Sequence, residues 1–355
     1  MVQKTALIIG ECYSDNVGDQ AIADAMREAL EDRGYFVRNM DYSCRGKKTQ
    51  NVKKPTTNNV LRILKHRMRW IVGIWWALKK HYIIREAALK HYDLVVVGGG
   101  QLILANSKFP IALYLWVNLL AKNNANINII SCGVGDSFSW IEKFWIKKAL
   151  NLVSDIYLRD SRSIANAERN FGVAAKYCPD IVYYLSKNIP SKSNPNMTNI
   201  KGLSVIEYSI YIRYATEMSI SPLSEADYIK SWGKIIFDLM KADSSVALLS
   251  TTEADYWYAE QVLSNVYDVY GYRVSIYPKP VSWKDFIVQV SLCNNLTTGR
   301  MHGLILAQIS GIEPIPYLVN KKVEAFSSEY INKPVELIVA NIDSVLDKIA
   351  LKNNF

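Results

Sequence analysis

The chain has 355 residues, 50% hydrophobic and 21% charged, a composition that fits a folded globular protein and excludes a disordered or collagen-like one. Its five cysteines (Cys12, Cys44, Cys132, Cys178, Cys293) are scattered with no C-x-x-C pair, which argues against a disulfide framework or a zinc site and suits a reducing compartment. The net charge of +9 is concentrated: residues 45–91 hold thirteen Lys/Arg and one acid, net +12, and the rest of the chain carries −3.

The opening Met-Val-Gln-Lys-Thr leads into an apolar run of only a few residues, so no signal peptide is expected. Lys4 to Gly10 (KTALIIG) predicts a strand closing on glycine. From Ala21 the pattern becomes helical and stops at Gly34, a C′ position. Tyr35 to Met40 predicts a second strand. Residues 45–91 then mix their charges with Trp70, Trp75, Trp76 and Tyr82. Basic residues around an aromatic-apolar stretch suit an interfacial membrane helix or contact with a lipid diphosphate. An amphipathic helix packed on its own sheet with a solvated basic face would look the same, and no nucleic-acid-reading motif accompanies the charge. The longest apolar stretch, Trp70 to Leu78, is far short of a membrane span. The expected location is therefore the cytoplasm, with peripheral contact at the inner membrane face through 45–91.

Asp93 to Gly98, Ile127 to Gly133 and Ser154 to Arg159 predict further buried strands. Residues 186–201 are polar and aperiodic and hold two prolines, as a linker would. The alternation restarts with a strand at 202–206. A helix over 224–241 follows, opened by Ser224 with Asp227 three residues on. Strands at 246–250, 273–277, 295–298 and 313–317 come next, with a helix over 301–310. The alternation predicts an α/β fold of two Rossmann-like, doubly wound parallel-sheet domains facing a cleft. The predicted boundaries are 1–188, a linker at 189–200, 201–325, and a C-terminal helical segment at 326–355.

Thr298-Gly299-Arg300-Met301-His302-Gly303 runs from a strand directly into a helix. Such a junction offers unpaired N–H groups and the positive end of a helix dipole to an anion. Arg300 adds a fork that grips an oxyanion in two places, and His302, the sole histidine in the second half of the chain, is a candidate proton donor or acceptor. After the first strand, Asn16 and Asp19 flank Gly18 and can bond backbone or a sugar hydroxyl; Asp19 could equally cap the next helix. The loop is neither G-x-G-x-x-G nor a P-loop. Gly98-Gly99-Gly100 allows close backbone approach to a ligand or simply a tight turn. Arg159 at a strand end can reach an anion, Asp180 after Pro179 also fits a turn, and Lys322 offers positive charge.

In this order, Asn16-x-Gly18-Asp19, Gly98-Gly-Gly, Gly133-Val-Gly135, Arg159-Asp160-x-x-Ser163, Pro179-Asp180, Thr298-Gly-Arg300-x-His302 and Lys322-Val-x-x-Phe326 resemble the polysaccharide pyruvyltransferases. That resemblance implies a GT-B-like fold and the transfer of an enolpyruvyl unit from phosphoenolpyruvate to two sugar hydroxyls, with no metal or other cofactor. It implies a donor site of Gly299, Arg300, Met301, His302, Arg159 and Lys322, with His302 as acid. It also implies an acceptor side of Asn16, Asp19, Gly99, Gly100 and Asp180, with Asp19 or Asp180 as base. The expected acceptor is a lipid-linked saccharide for a capsule, O-antigen or wall polymer. One departure stands out: the family often has an arginine just after the second domain's first strand, where this chain has Ser204-Val-Ile-Glu207 and Arg213 is the nearest substitute. The rival expectations are a GT-B glycosyltransferase using a nucleotide sugar and a non-catalytic scaffold at a membrane surface. Oligomeric state is not legible.

Overall fold

The computed structural model describes residues 3–46, 69–124, 126–190, 199–240, 244–317 and 321–352. Residues 191–198 of the linker predicted at 189–200, and 47–68 of the basic segment, lie outside the described residues.

Short apolar runs become parallel strands because both of their faces are covered. β1 (Thr5–Gly10), β2 (Phe36–Asp41), β3 (Leu94–Gly98), β4 (Ile127–Cys132), β5 (Asp155–Leu158) and β6 (Lys176–Tyr177) form one parallel sheet in the order β2-β1-β3-β4-β5-β6. Every residue of β3 and β4 is buried, as continuous apolar runs in a parallel sheet should be. The helix Phe109–Leu120 supplies Leu113, Trp116, Val117 and Leu120 to the core beside Val95, Val97 and Ile129.

The second sheet is β7 (Ile200–Ser204), β8 (Ser245–Leu249), β9 (Val274–Ile276), β10 (Asn295–Thr298) and β11 (Glu313–Pro316), in the order β11-β10-β7-β8-β9. Its core sets Leu203, Val246 and Leu248 against Tyr228, Trp232 and Ile236 of the helix Glu225–Leu239. Ser224 caps that helix as predicted, its side chain accepting the Asp227 N–H at 3.2 Å.

The first helix departs from its predicted start. It runs Val17–Glu31 and begins before Ala21, because Asn16 acts as its cap: the Gly18 N–H donates to Asn16 Oδ1 at 2.9 Å. Asp19 therefore lies inside the first turn and is not the cap. Gly34, at φ +80°, ends the helical turns.

The contacts group the chain into two compact units: Met1–Ser14, Ile22–Tyr184 and Glu336–Phe355 form one, Asp15–Ala21 and Leu185–Val335 the other. The opening of the first helix thus counts with the second unit. The last helix, Val335–Lys352, counts almost wholly with the first, where Arg33 pairs with Asp343 and Asp347 (both 2.8 Å) and Lys352 pairs with Asp155.

Candidate functional site

In the second unit the chain runs from β7 outward to β8 and β9, then returns to β10 on the other side of β7. β7 and β10 therefore flank the switch point, where an open α/β sheet takes its ligands at the strands' carboxyl ends. Ser204 and Thr298 face each other in register at that end, and Arg300 and the helix Met301–Ile309 follow. Arg300 occupies the N-cap position without using its side chain as a cap, while its N–H donates to Thr298 Oγ1 at 3.0 Å.

The guanidinium has a partner the sequence did not reveal. Arg300 Nε and Nη2 donate to the two carboxylate oxygens of Asp255, at 3.0 and 2.5 Å. Asp255 is fully buried and also accepts the Glu207 N–H (3.1 Å) and the Thr251 hydroxyl (3.2 Å). Burial opposes the arginine's charge, yet Asp255, with Tyr214 and Glu207, holds its pKa above the ordinary arginine value. The free fork expected from the sequence is thus corrected. Two of its three nitrogens are committed to Asp255, and Nη1 has no hydrogen bond or ion pair among the described residues. Asp255 was hidden because Thr252-x-x-Asp255 opens the helix Glu253–Tyr270 and reads as a capping box. Thr252 does cap it, but the carboxylate turns to Arg300.

His302 meets the first predicted loop. A Cβ on Gly18 would fall 2.3 Å from His302 Nδ1 and 2.6 Å from its Cβ and Cγ, so only glycine lets the imidazole lie there. The same segment is anchored by the Val17 N–H on Thr251 O (3.0 Å) and the Glu253 N–H on Asp15 Oδ2 (3.1 Å). Asn16, Gly18, Asp19, Thr251, Asp255, Arg300 and His302 thereby gather within the second unit. Arg213 does not fill the missing arginine's place: it is 58% exposed, ranged toward Glu217 (3.9 Å) and over the Tyr214 ring. Lys322 sits half-buried at the start of the helix Lys321–Tyr330, whose Val323 and Phe326 are core residues.

In the first unit, three motifs turn out to be parts of one buried ion pair. Arg159 is 2% exposed and its Nη1 donates to Asp180 Oδ2 at 3.0 Å, with Asp160 at 3.5 Å. A Cβ on Gly133 would lie 2.8 Å from Arg159 Nη2, so that glycine makes room for the guanidinium. Arg159, expected at the donor, and Asp180, expected at the acceptor, bind each other inside the unit. Gly99 and Gly100 have φ of +76° and +69°, and a Cβ on Gly99 would come 1.9 Å from Ile22 Cγ2. Turn geometry and helix packing alone require glycine at 99.

A charged cluster that the sequence did not single out follows the carboxyl ends of β1 and β2. Ser43 donates to Glu11, and Arg45 Nη2 pairs with Glu11 Oε2 (2.5 Å) and with the buried Asp41 (3.0 Å). Burial raises the Glu11 pKa against the pull of Arg45, and burial lowers that of Lys108, across the β1–β3 switch point. Asp41, Ser43 and Arg45 are neighbours in sequence, and the sheet order brings Glu11 to them.

A family model described as polysaccharide pyruvyl transferase matches residues 16–320. The chain has no significant match among curated protein sequences. Among solved structures it is similar to the UDP-GlcNAc 2-epimerase of Methanocaldococcus jannaschii, with 12% identity, a TM-score of 0.53, and coverage of 98% of this chain and 99% of that one. It is also similar to a glycosyltransferase of Rickettsia africae (10% identity, TM-score 0.47, 99% and 94% covered). The heptosyltransferase WaaC of E. coli is a third (12% identity, TM-score 0.42, 88% of each chain covered). The first of these likenesses, with the two parallel sheets, supports the GT-B-like class of fold.

Proposed function

Because the chain belongs to the polysaccharide pyruvyl transferase family, we propose that it takes phosphoenolpyruvate as donor and builds a pyruvate ketal on a lipid-linked saccharide destined for a bacterial surface polymer. The observation that carries this reading is the meeting of Gly18 with His302. It sets the Asn16-x-Gly18-Asp19 motif against the Arg300-x-His302 motif, beside an arginine held by Asp255.

In the proposed reaction His302 gives a proton to the donor's terminal CH₂, and positive charge develops at C2. One sugar hydroxyl attacks C2 and yields its proton to a base, for which Asp19, one residue beyond Gly18, is the candidate. The C2–O bond to phosphate then breaks, the second hydroxyl adds, and its proton leaves with the phosphate. The net products are the ketal and inorganic phosphate. The Nη1 edge of Arg300 and the opening N–H groups of the helix Met301–Ile309 neutralise the donor's carboxylate or phosphate, with Lys322 adding charge. Asp255 acts as a positioning residue, since it fixes the guanidinium in one orientation. On the acceptor side Asn16, in the same unit as Gly18 and His302, is the candidate contact.

The test mixes phosphoenolpyruvate with a panel of lipid-linked saccharides and follows phosphate. Acceptor-dependent release is expected. No release across a broad panel, together with thermal stabilisation by a nucleoside diphosphate and none by phosphoenolpyruvate, would replace this reading with nucleotide-sugar transfer.

A further inference from the structure

The helix Arg69–Ala88 is apolar on two opposite sides. Its inner side is fixed in the first unit. Ile84, Ala87 and Ala88 are buried in the core, Trp76 Nε1 donates to Ser43 O (3.2 Å), and Lys80 Nζ donates to Cys44 O (3.0 Å). Gly73 brings the backbone so near Ser107 that a Cβ would lie 2.3 Å from its carbonyl oxygen.

The other side is bare. Ile71 (39% exposed), Ile74 (41%), Trp75 (58%), Leu78 (75%) and Tyr82 (74%) recur at helical spacing and form a single stripe, about 16 Å long at 1.5 Å per residue. Scattered exposed apolar residues are ordinary, but a continuous stripe of this kind marks a contact surface. Its flanks are cationic: Lys79 and Arg85 stand exposed in the helix against the single acid Glu86, and the Lys79 ammonium lies 3.6 Å over the Trp75 ring. No helix among the described residues is long and apolar enough to cross a membrane.

We propose that this stripe docks in the interface of a membrane containing anionic lipid, its apolar side chains entering the acyl boundary and Lys79 and Arg85 meeting the headgroups. Charge decides between this occupant and a second copy of the chain, because the exposed Lys79 and Arg85 stand along the stripe against the single acid Glu86 and two such faces would repel. Aliphatic side chains along the middle of the stripe give a nucleic acid nothing to bind.

The test is co-sedimentation of the full chain with vesicles of phosphatidylcholine alone and of phosphatidylcholine with phosphatidylglycerol. Binding is expected to the anionic vesicles, weakening as salt is raised. The double variant Leu78→Asp/Tyr82→Asp changes two largely exposed side chains and should lower partitioning by about tenfold or more with its melting curve unchanged. Lys79→Glu/Arg85→Glu should remove the preference for anionic lipid. No binding to anionic vesicles, or undiminished binding by the Leu78/Tyr82 variant, would overturn the proposal. So would self-association without lipid that this variant abolishes, which would assign the stripe to a second copy. None of these readouts depends on the donor or on turnover.

Discussion

Arg300 and Arg159 each stand just past a parallel strand and each pair with a buried aspartate, but they differ in what the pairing leaves over. Arg159 is 2% exposed and Asp180 equally so. Arg300 keeps 16% of its side chain open while Asp255 is fully covered. A sealed pair balances its own desolvation and holds backbone segments together. A half-open pair does that and also presents an oriented, permanently charged edge. The same two residue types thus form a sealed pair in one unit and a half-open pair in the other.

The sharpest way to break that contrast begins with the chemistry. His302→Gln is expected to cut acceptor-dependent phosphate release by about 10²–10⁴-fold with little change in the urea midpoint. A near-normal rate would move the proton donor elsewhere. Next come the two aspartates. Asp180→Asn should cost about 3–5 kcal/mol in urea unfolding, because it strands a buried guanidinium. Asp255→Asn should cost less, since Arg300 still reaches water, but should depress phosphate release while Asp180→Asn, where it folds, does not. A reversed order of stabilities would erase the distinction.

Gly18→Ala probes the meeting of the two motifs in the second unit. The new Cβ must displace the imidazole, and release should fall by about 10²-fold, in line with the cost of ångström-scale misplacement, while circular dichroism stays native. The smallest effect is a control in the first unit. The Thr5 N–H donates to Asp93 (2.7 Å), and this bond, opposed by burial and aided by the Thr5 hydroxyl, holds the Asp93 carboxyl below its ordinary value. Its folded pKa being lowered, Asp93 adds stability above the ordinary aspartate pKa and loses it as pH falls through the folded value. Asp93→Asn should therefore be less stable than the parent at neutral pH and equal to it in strong acid, by thermal melting.

The strands were legible because buried parallel strands are continuous apolar runs bounded by glycine or polar turns; β10 falls on the predicted residues, 295–298. The Arg300–His302 junction was legible for the same reason, as a strand running straight into a helix. Asp255 was not, since a local capping pattern already accounts for an acid at that position. The Arg159–Asp180 pair also escaped, because pairing between separate segments leaves no local trace. The start at Val17 was masked by Gly18, a poor helix former whose presence is explained only by an imidazole far along the chain. The bare face of the helix Arg69–Ala88 has no periodic signature, because its opposite face is apolar as well.

The return of the helix Val335–Lys352 to the first unit has a consequence for biosynthesis. Its Ile338, Ile342, Leu346 and Ile349 are buried, and Arg33 and Asp155 wait for Asp343, Asp347 and Lys352. During translation, domains ordinarily fold from the N-terminus onward. Here the unit that emerges first is completed last. Until the ribosome has delivered residues 335–352, the nascent first unit exposes the surface this helix covers, and a fragment ending at residue 184 would lack part of its own interior.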